Sequence, residues 1–262
     1  MIVAMDAAPE IRILEDAGEL AETAAGMIVD LATTAVAQRG RFTVALAGGE
    51  TPRATYERLA RPPLSEVMPW ARTFVFFGDE RGVPPDRPDS NYGMAHRALL
   101  SKVPIPPRQV FRIPGEGTDP ETVATDYART ISEELKVRRG EVPRLDLVLL
   151  GLGIDGHTAS LFPGSPVLKE VFRTVAAVHA AAAVIPQRFT LTFPILNAAA
   201  CVVFLVSGSV KAKVVKAALA EGAATLPAGM VRPSDGRLVW LLDRAAAALL
   251  PAAGRRPGAE RK

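Results

Sequence analysis

Five short runs constrain this chain most. FTVALA (42–47), RTFVFF (72–77), LDLVLL (145–150), CVVFLV (201–206) and RLVWLL (237–242) are apolar almost throughout, not at every second position. A strand apolar on both faces must be covered on both faces. RTVAAV, RFTLTF and QVFRI (109–113) read as further strands. Helical stretches separate them. Residues 19–39 are Ala-rich, a helix runs from Pro52 to about Arg61, and another starts near Ser90. Residues 118–139 form a further helix, with Thr118 and Glu121 spaced as a capping box. Ser209 caps a helix running to about Glu221, and an Ala-rich helix follows RLVWLL. This alternation predicts an α/β fold: a doubly wound, mostly parallel sheet with helices on both faces. No repeat or long linker divides it, so a single α/β domain over 1–254 is expected.

The net charge of +3 and pI near 9.2 invite a nucleic-acid reading. The distribution argues against it. Arg255, Arg256, Arg261 and Lys262 against Glu260 carry the whole excess, so the body is neutral and has no basic stripe. Residues 255–262 read as a disordered basic tail. No run approaches the length of a bilayer span, and the start lacks a basic stretch and a cleavage site. Neither membrane nor nucleic acid is expected as a partner. The single cysteine, Cys201, excludes an intrachain disulfide and sits in an apolar run as an inert thiol, which fits a reducing cytoplasm.

In a sheet of this kind, ligands bind outside the carboxyl ends of the strands. The loops at those ends are GGETPR, GDERGVP, GLGIDGHTASLFPG and SGSVK. Gly48 and Gly49 precede Thr51, which suits a helix cap, and Pro52, which suits a first turn. A helix start with free amides binds anions, and Arg53 adds charge; an ordinary Gly-Gly turn looks the same. Asp79, Glu80 and Arg81 directly follow a buried strand, as an anion-binding group or as a solvated loop. Gly151, Gly153 and Gly156 match G-x-G-x-x-G, but that fingerprint must open a helix. Pro163, Gly164 and Pro166 leave room for only a turn or two at 157–162, where a crossover needs about ten residues. The loop instead presents His157, whose imidazole suits proton transfer near neutrality. His96 and His179 read as structural. Lys211 stands in a helix's first turn, which disfavours a cation unless an anion binds there; Arg188 opens a strand. No H-x-x-x-H, H-E-x-x-H or clustered Cys/His spacing suggests a metal. No G-x-S-x-G elbow suggests a serine nucleophile.

These segments together resemble the 6-phosphogluconolactonase family, within the superfamily it shares with glucosamine-6-phosphate isomerases. The resemblance runs through LAGGETPRATYERLA, FFGDERGVPPDRPDSNYGMAHRALL, LDLVLLGLGIDGHTASLFPGSP, RFTLTFPILNAA, VSGSVKAKVVKAAL and LPAGMVRPSDGRLVWLLD. Glu50 departs from it, where a small or variable residue is expected. The resemblance implies hydrolysis of 6-phosphogluconolactone to 6-phosphogluconate in the pentose phosphate pathway. His157 would activate water, with Asp79 and Arg81 beside it. Gly48, Gly49, Thr51, Arg53, Gly153, Asp155, Arg188 and Lys211 would bind sugar and phosphate. It implies no cofactor, a small sugar-phosphate lactone as partner, and a monomer or weak homo-oligomer. Two rivals exist. A glucosamine-6-phosphate deaminase shares the Gly-rich loops but continues toward F-N-E-P after its histidine; here Thr158-Ala159-Ser160-Leu161-Phe162-Pro163 follows. A non-catalytic sugar-phosphate sensor would need the phosphate loops and no base.

Overall fold

The computed structural model describes residues 8–138, 140–181, 183–220 and 225–251. Its strands are β1 (Glu10–Leu14), β2 (Phe42–Leu46), β3 (Thr73–Phe77), β4 (Asp79–Arg81), β5 (Leu147–Leu150), β6 (Val175–His179), β7 (Gln187–Leu191), β8 (Cys201–Val206) and β9 (Arg237–Asp243). Its α-helices are α1 (Ala17–Arg39), α2 (Glu50–Leu59), α3 (Leu64–Val67), α4 (Asn91–Ala95), α5 (Pro120–Glu134), α6 (Phe193–Ala198), α7 (Ala212–Leu219) and α8 (Pro227–Met230).

Six strands form a parallel sheet in the order β1-β9-β8-β5-β2-β3. The apolar runs at its centre, β2, β5 and β8, are buried along their whole length, as two-sided coverage requires. The edge strand β1 is half polar and gave no apolar run to read. Ile11 and Ile13 are about two-fifths exposed. Its ladder with β9 and the Glu10–Arg237 ion pair at 2.8 Å hold it in place.

RTVAAV and RFTLTF do not join this sheet. As β6 and β7 they form a separate antiparallel sheet with β4, in the order β4-β7-β6. The chain switches sheets at Gly78, whose N–H donates to Leu46 O while its carbonyl accepts from Leu191 N. The turn therefore sets Asp79, Glu80 and Arg81 beside the carboxyl ends of β2 and β5.

Several expected elements differ. QVFRI is not a strand; Val110 makes one isolated bridge with Val75, between Pro106–Pro107 and Pro114. α5 begins at Pro120 because Asp119, not Thr118, is its cap, accepting from Glu121 N. Ser209 caps nothing: a 3₁₀ turn, Ser209–Lys211, precedes α7. Residues 244–249 form turns, not a helix, and 157–162 form turns with a Thr158–Leu161 bridge. The expected tail at 255–262 lies outside the described residues. α1 also differs: at 23 residues, with mean hydropathy 1.3 over its most apolar window, it has the length and composition of a span. Its Leu20, Ala24, Ala25, Ile28 and Ala32 are packed into the core instead.

Candidate active site

A cleft of about 520 Å³ opens at the carboxyl edge of the parallel sheet. The loops after β2, β5 and β8 line it, together with β4, Asn91 and Arg188. Gly48, Gly49, Thr51, Asp79, Arg81, Gly153, His157, Arg188 and Lys211 all border it.

The loop after β5 is folded tightly around His157. Gly153 N donates to His157 O at 2.8 Å, and Gly156 turns the chain at φ 88°. A Cβ on Gly153 would lie 2.2 Å from His157 Nδ1, so the ring can rest there only on glycine. Phe162 packs against the imidazole at 4.6 Å between ring centres. Asp155 Oδ1 stands 2.6 Å from His157 Nδ1. Partial burial pushes the Asp155 carboxyl up, but the charge of His157 and the N–H groups it offers outweigh that and hold it below its usual value. An ionised carboxylate only accepts, so Nδ1 carries a proton, and in the neutral ring the lone pair is on Nε2. Asp155, expected on the substrate, pairs with His157 through Oδ1 and does not itself border the cleft.

The rest of the loop is pinned to its surroundings. Thr158 Oγ1 donates to Gly151 O, and Ser160 Oγ donates to Asp79 Oδ2 at 2.7 Å. Ala159 between them lines the cleft in the left-handed region, φ 48°, which a non-glycine residue adopts at a cost.

Asp79 is buried, and both its oxygens are held: Oδ1 by Asn91 Nδ2 at 2.9 Å, Oδ2 by Ser160. It ties β4 to the histidine loop. Glu80, to which the sequence assigned no role of its own, is 1% exposed. Its carboxylate accepts from the N–H groups of Arg81, Asn91 and Tyr92 and from the Ser90 hydroxyl. Burial pushes its pKa up while these backbone donors oppose the shift. Glu80 thereby fastens the start of α4 to β4. The signal for it was the S-N-Y triplet ten residues on, which supplies three of the four donors.

Arg81 and Arg188 face each other across the β4–β7 ladder. Arg81 Nη1 donates to Asp89 O, and Arg188 Nε donates to Ile185 O at 2.7 Å. Among the described residues neither meets a carboxylate in an ion pair, and Arg81 Nε is buried with no partner. Desolvation and then the charge of Arg81 hold Arg188 below its usual value. Lys211 donates to Leu152 O at 2.7 Å; desolvation lowers its pKa, and Asp155 opposes that. Thr51 does not cap α2. Gly49, at φ 103°, takes that position without a side-chain bond, and Thr51 Oγ1 meets Ser207 Oγ at 2.8 Å across the cleft.

Arg53, like Asp155, is a sequence-based candidate that does not border the cleft. Its guanidinium is held by Glu50 at 2.5 Å and Glu57 at 2.6 Å, on the outer side of α2. Glu50, the departure from the family pattern, is thereby neutralised. His96 packs against Tyr92, and His179 ends β6 on the rim of a neighbouring basin. Among the described residues no group of three His, Cys, Asp or Glu is arranged to hold a metal.

A family model described as glucosamine-6-phosphate isomerases/6-phosphogluconolactonase matches residues 15–240. A 6-phosphogluconolactonase of Synechocystis sp. is 40% identical over 241 residues, covering 91% of this chain and 97% of the relative. One of Rattus norvegicus is 41% identical over 250 residues, covering 92% and 93%. The solved structure of 6-phosphogluconolactonase from Trypanosoma cruzi superposes with a TM-score of 0.84 at 31% identity, covering 94% of this chain and 98% of that one. The chain belongs to the glucosamine-6-phosphate isomerase/6-phosphogluconolactonase family.

Proposed function

We propose that this chain hydrolyses the internal ester of 6-phosphogluconolactone to 6-phosphogluconate, as the names of its relatives suggest. The observation that carries the reading is the Asp155–His157 pair, 2.6 Å apart, at a cleft whose Arg81, Arg188 and Lys211 form no ion pair with a carboxylate among the described residues. His157 Nε2 takes a proton from water as the oxygen attacks the lactone carbonyl carbon. The Asp155 carboxylate steadies the imidazolium that forms. When the tetrahedral intermediate collapses, the ring C–O bond breaks and the imidazolium returns the proton to the departing oxygen. The products are a free hydroxyl and a carboxylic acid, which ionises.

The phosphate is drawn to the uncapped amides at the start of α2, ten residues long, and to Arg81, Arg188 and Lys211. Asp79 acts through Ser160 and Asn91, holding the walls rather than the substrate. Residues 158–162 offer no carboxylate for proton transfer along an open sugar, which disfavours a deaminase. A water-soluble substrate and a single buried thiol fit an enzyme of a reducing cytoplasm.

The test generates the lactone in situ with glucose-6-phosphate dehydrogenase and follows 6-phosphogluconate. Formation above the spontaneous rate supports the reading. Tight sugar-phosphate binding without acceleration points to a sensor, and ammonia release from glucosamine 6-phosphate points to a deaminase.

A further inference from the structure

The groups assigned to the substrate so far all serve the phosphate or the reacting ester. Asn91 does neither, and its side chain is set up to receive a donor. It is 2% exposed and borders the cleft. Its N–H donates to Glu80 Oε1 at 2.7 Å, which fixes the backbone. Its Nδ2 donates to both Asp79 O and Asp79 Oδ1, each at 2.9 Å. Both of those atoms only accept, so the opposite amide orientation would set Oδ1 against two acceptors. The orientation shown is therefore chemically required, and Oδ1 is the atom left to face elsewhere.

Among the described residues no donor reaches Asn91 Oδ1. Nor is it sealed in protein: the buried polar side-chain atoms without a partner are Arg81 Nε and Trp240 Nε1. Oδ1 sits against Gly48, where a Cβ would come within 1.9 Å of it, so glycine is what lets the amide reach the cleft wall. A neutral acceptor at this place discriminates among ligand groups. Phosphate oxygens and a lactone carbonyl only accept and gain nothing from it. An ammonium group is opposed by Arg81, Arg188 and Lys211. A sugar hydroxyl can donate to it, and the amide is already oriented, so little freedom is lost on binding.

We propose that Asn91 Oδ1 is a specificity determinant that accepts a hydrogen bond from one ring hydroxyl of the sugar-phosphate lactone. This rests on the lactonase reading above. A substrate lacking that hydroxyl leaves an oriented acceptor unpaired inside a confined cleft, which disfavours it by about 10- to 100-fold.

The experiment compares kcat/KM for 6-phosphogluconolactone and for its 2-deoxy, 3-deoxy and 4-deoxy analogues, with the wild-type chain and with Asn91→Ala. The expected result is that the wild type disfavours one analogue by about 10- to 100-fold and that Asn91→Ala brings that single ratio close to one. A residue that merely holds Asp79 would lower all four substrates by one factor and keep every ratio; that outcome overturns the proposal. The wild-type arm stands even if Asn91→Ala fails to fold, because equal turnover of all four lactones by the wild type also overturns it. No acceleration of the parent lactone would instead remove the lactonase reading, and this inference with it.

Discussion

At the residue scale the proposed chemistry rests on how His157 is held. The 2.6 Å contact with Asp155 fixes which nitrogen carries the proton and leaves Nε2 for water. His157→Ala should lower kcat by about 10²- to 10⁴-fold with little change in KM, since in the proposed mechanism the ring moves protons and does not grip the sugar. Asp155→Asn keeps the size but removes the charge that steadies the imidazolium, so kcat should fall by about tenfold or more, again with KM nearly unchanged. A rise in KM instead would return Asp155 to the substrate. The cations divide differently. Arg53→Ala should leave KM within about twofold, because its guanidinium belongs to Glu50 and Glu57 in exposed pairs. Arg188→Ala should raise KM by about tenfold or more, the loss of a charge-assisted bond to an anion. Steady-state kinetics on both variants checks the division. The removal of Arg53 was legible: acids three residues before and four after it face it on a helix. The Asp155 contact was not, because it depends on how Gly153 and Gly156 curl the loop, and spacing alone does not show that.

At the element scale the site is assembled by short devices, not by the long helices. Glu80 turns three backbone N–H groups and a hydroxyl toward one buried carboxylate. Glu80→Ala strands those donors and should cost about 3 kcal/mol or more of unfolding free energy, measured by denaturant titration. An effect under about 1 kcal/mol would mean that water takes over the role. Gly153→Ala tests the histidine loop: its Cβ would fall on His157 Nδ1, so activity should drop by about 100-fold while far-UV circular dichroism stays native. Apolar runs made β2, β3, β5, β8 and β9 readable. They could not show β1, which owes its strand to the β9 ladder. The capping-box spacing of Thr118 and Glu121 misplaced the start of α5, where Asp119 with Pro120 is a better helix entrance. The Ala-rich stretch after β9 has helical composition, yet the Asp243 carboxylate takes the amides of Gly208 and Ala246 and folds it into turns.

At the scale of the whole molecule, two sheets share one hydrophobic core, and the cleft lies where the chain passes between them. The parallel sheet supplies Gly48, Gly49, His157 and Lys211 through its loops, and the antiparallel one supplies Arg81 and Arg188. The second sheet was hidden because its strands carry enough apolar residues to pass for parallel ones; only the outward Arg188 marked a half-exposed face. Entry into β6 depends on Glu170, which makes the molecule's acid response testable. Its carboxylate accepts from the N–H groups of Val171, Phe172 and Arg173 and pairs with Arg173 Nε at 2.6 Å. The backbone N–H groups of Arg173 and Phe172, with the Arg173 side chain, hold its pKa down at about 2, from an ordinary 4.5. A carboxyl depressed in the folded state contributes stability above its unfolded pKa and loses it as pH falls toward the folded one. The contribution is therefore complete above about pH 5 and disappears between there and about pH 2. Thermal melts of the wild type and of Glu170→Gln at pH 7, 4.5 and 3 measure it. The variant should melt lower at pH 7, and the gap should narrow as the pH falls, because the wild type is losing what the variant never had. A gap that stays constant from pH 7 to 3 would show that Glu170 shapes the loop without its charge.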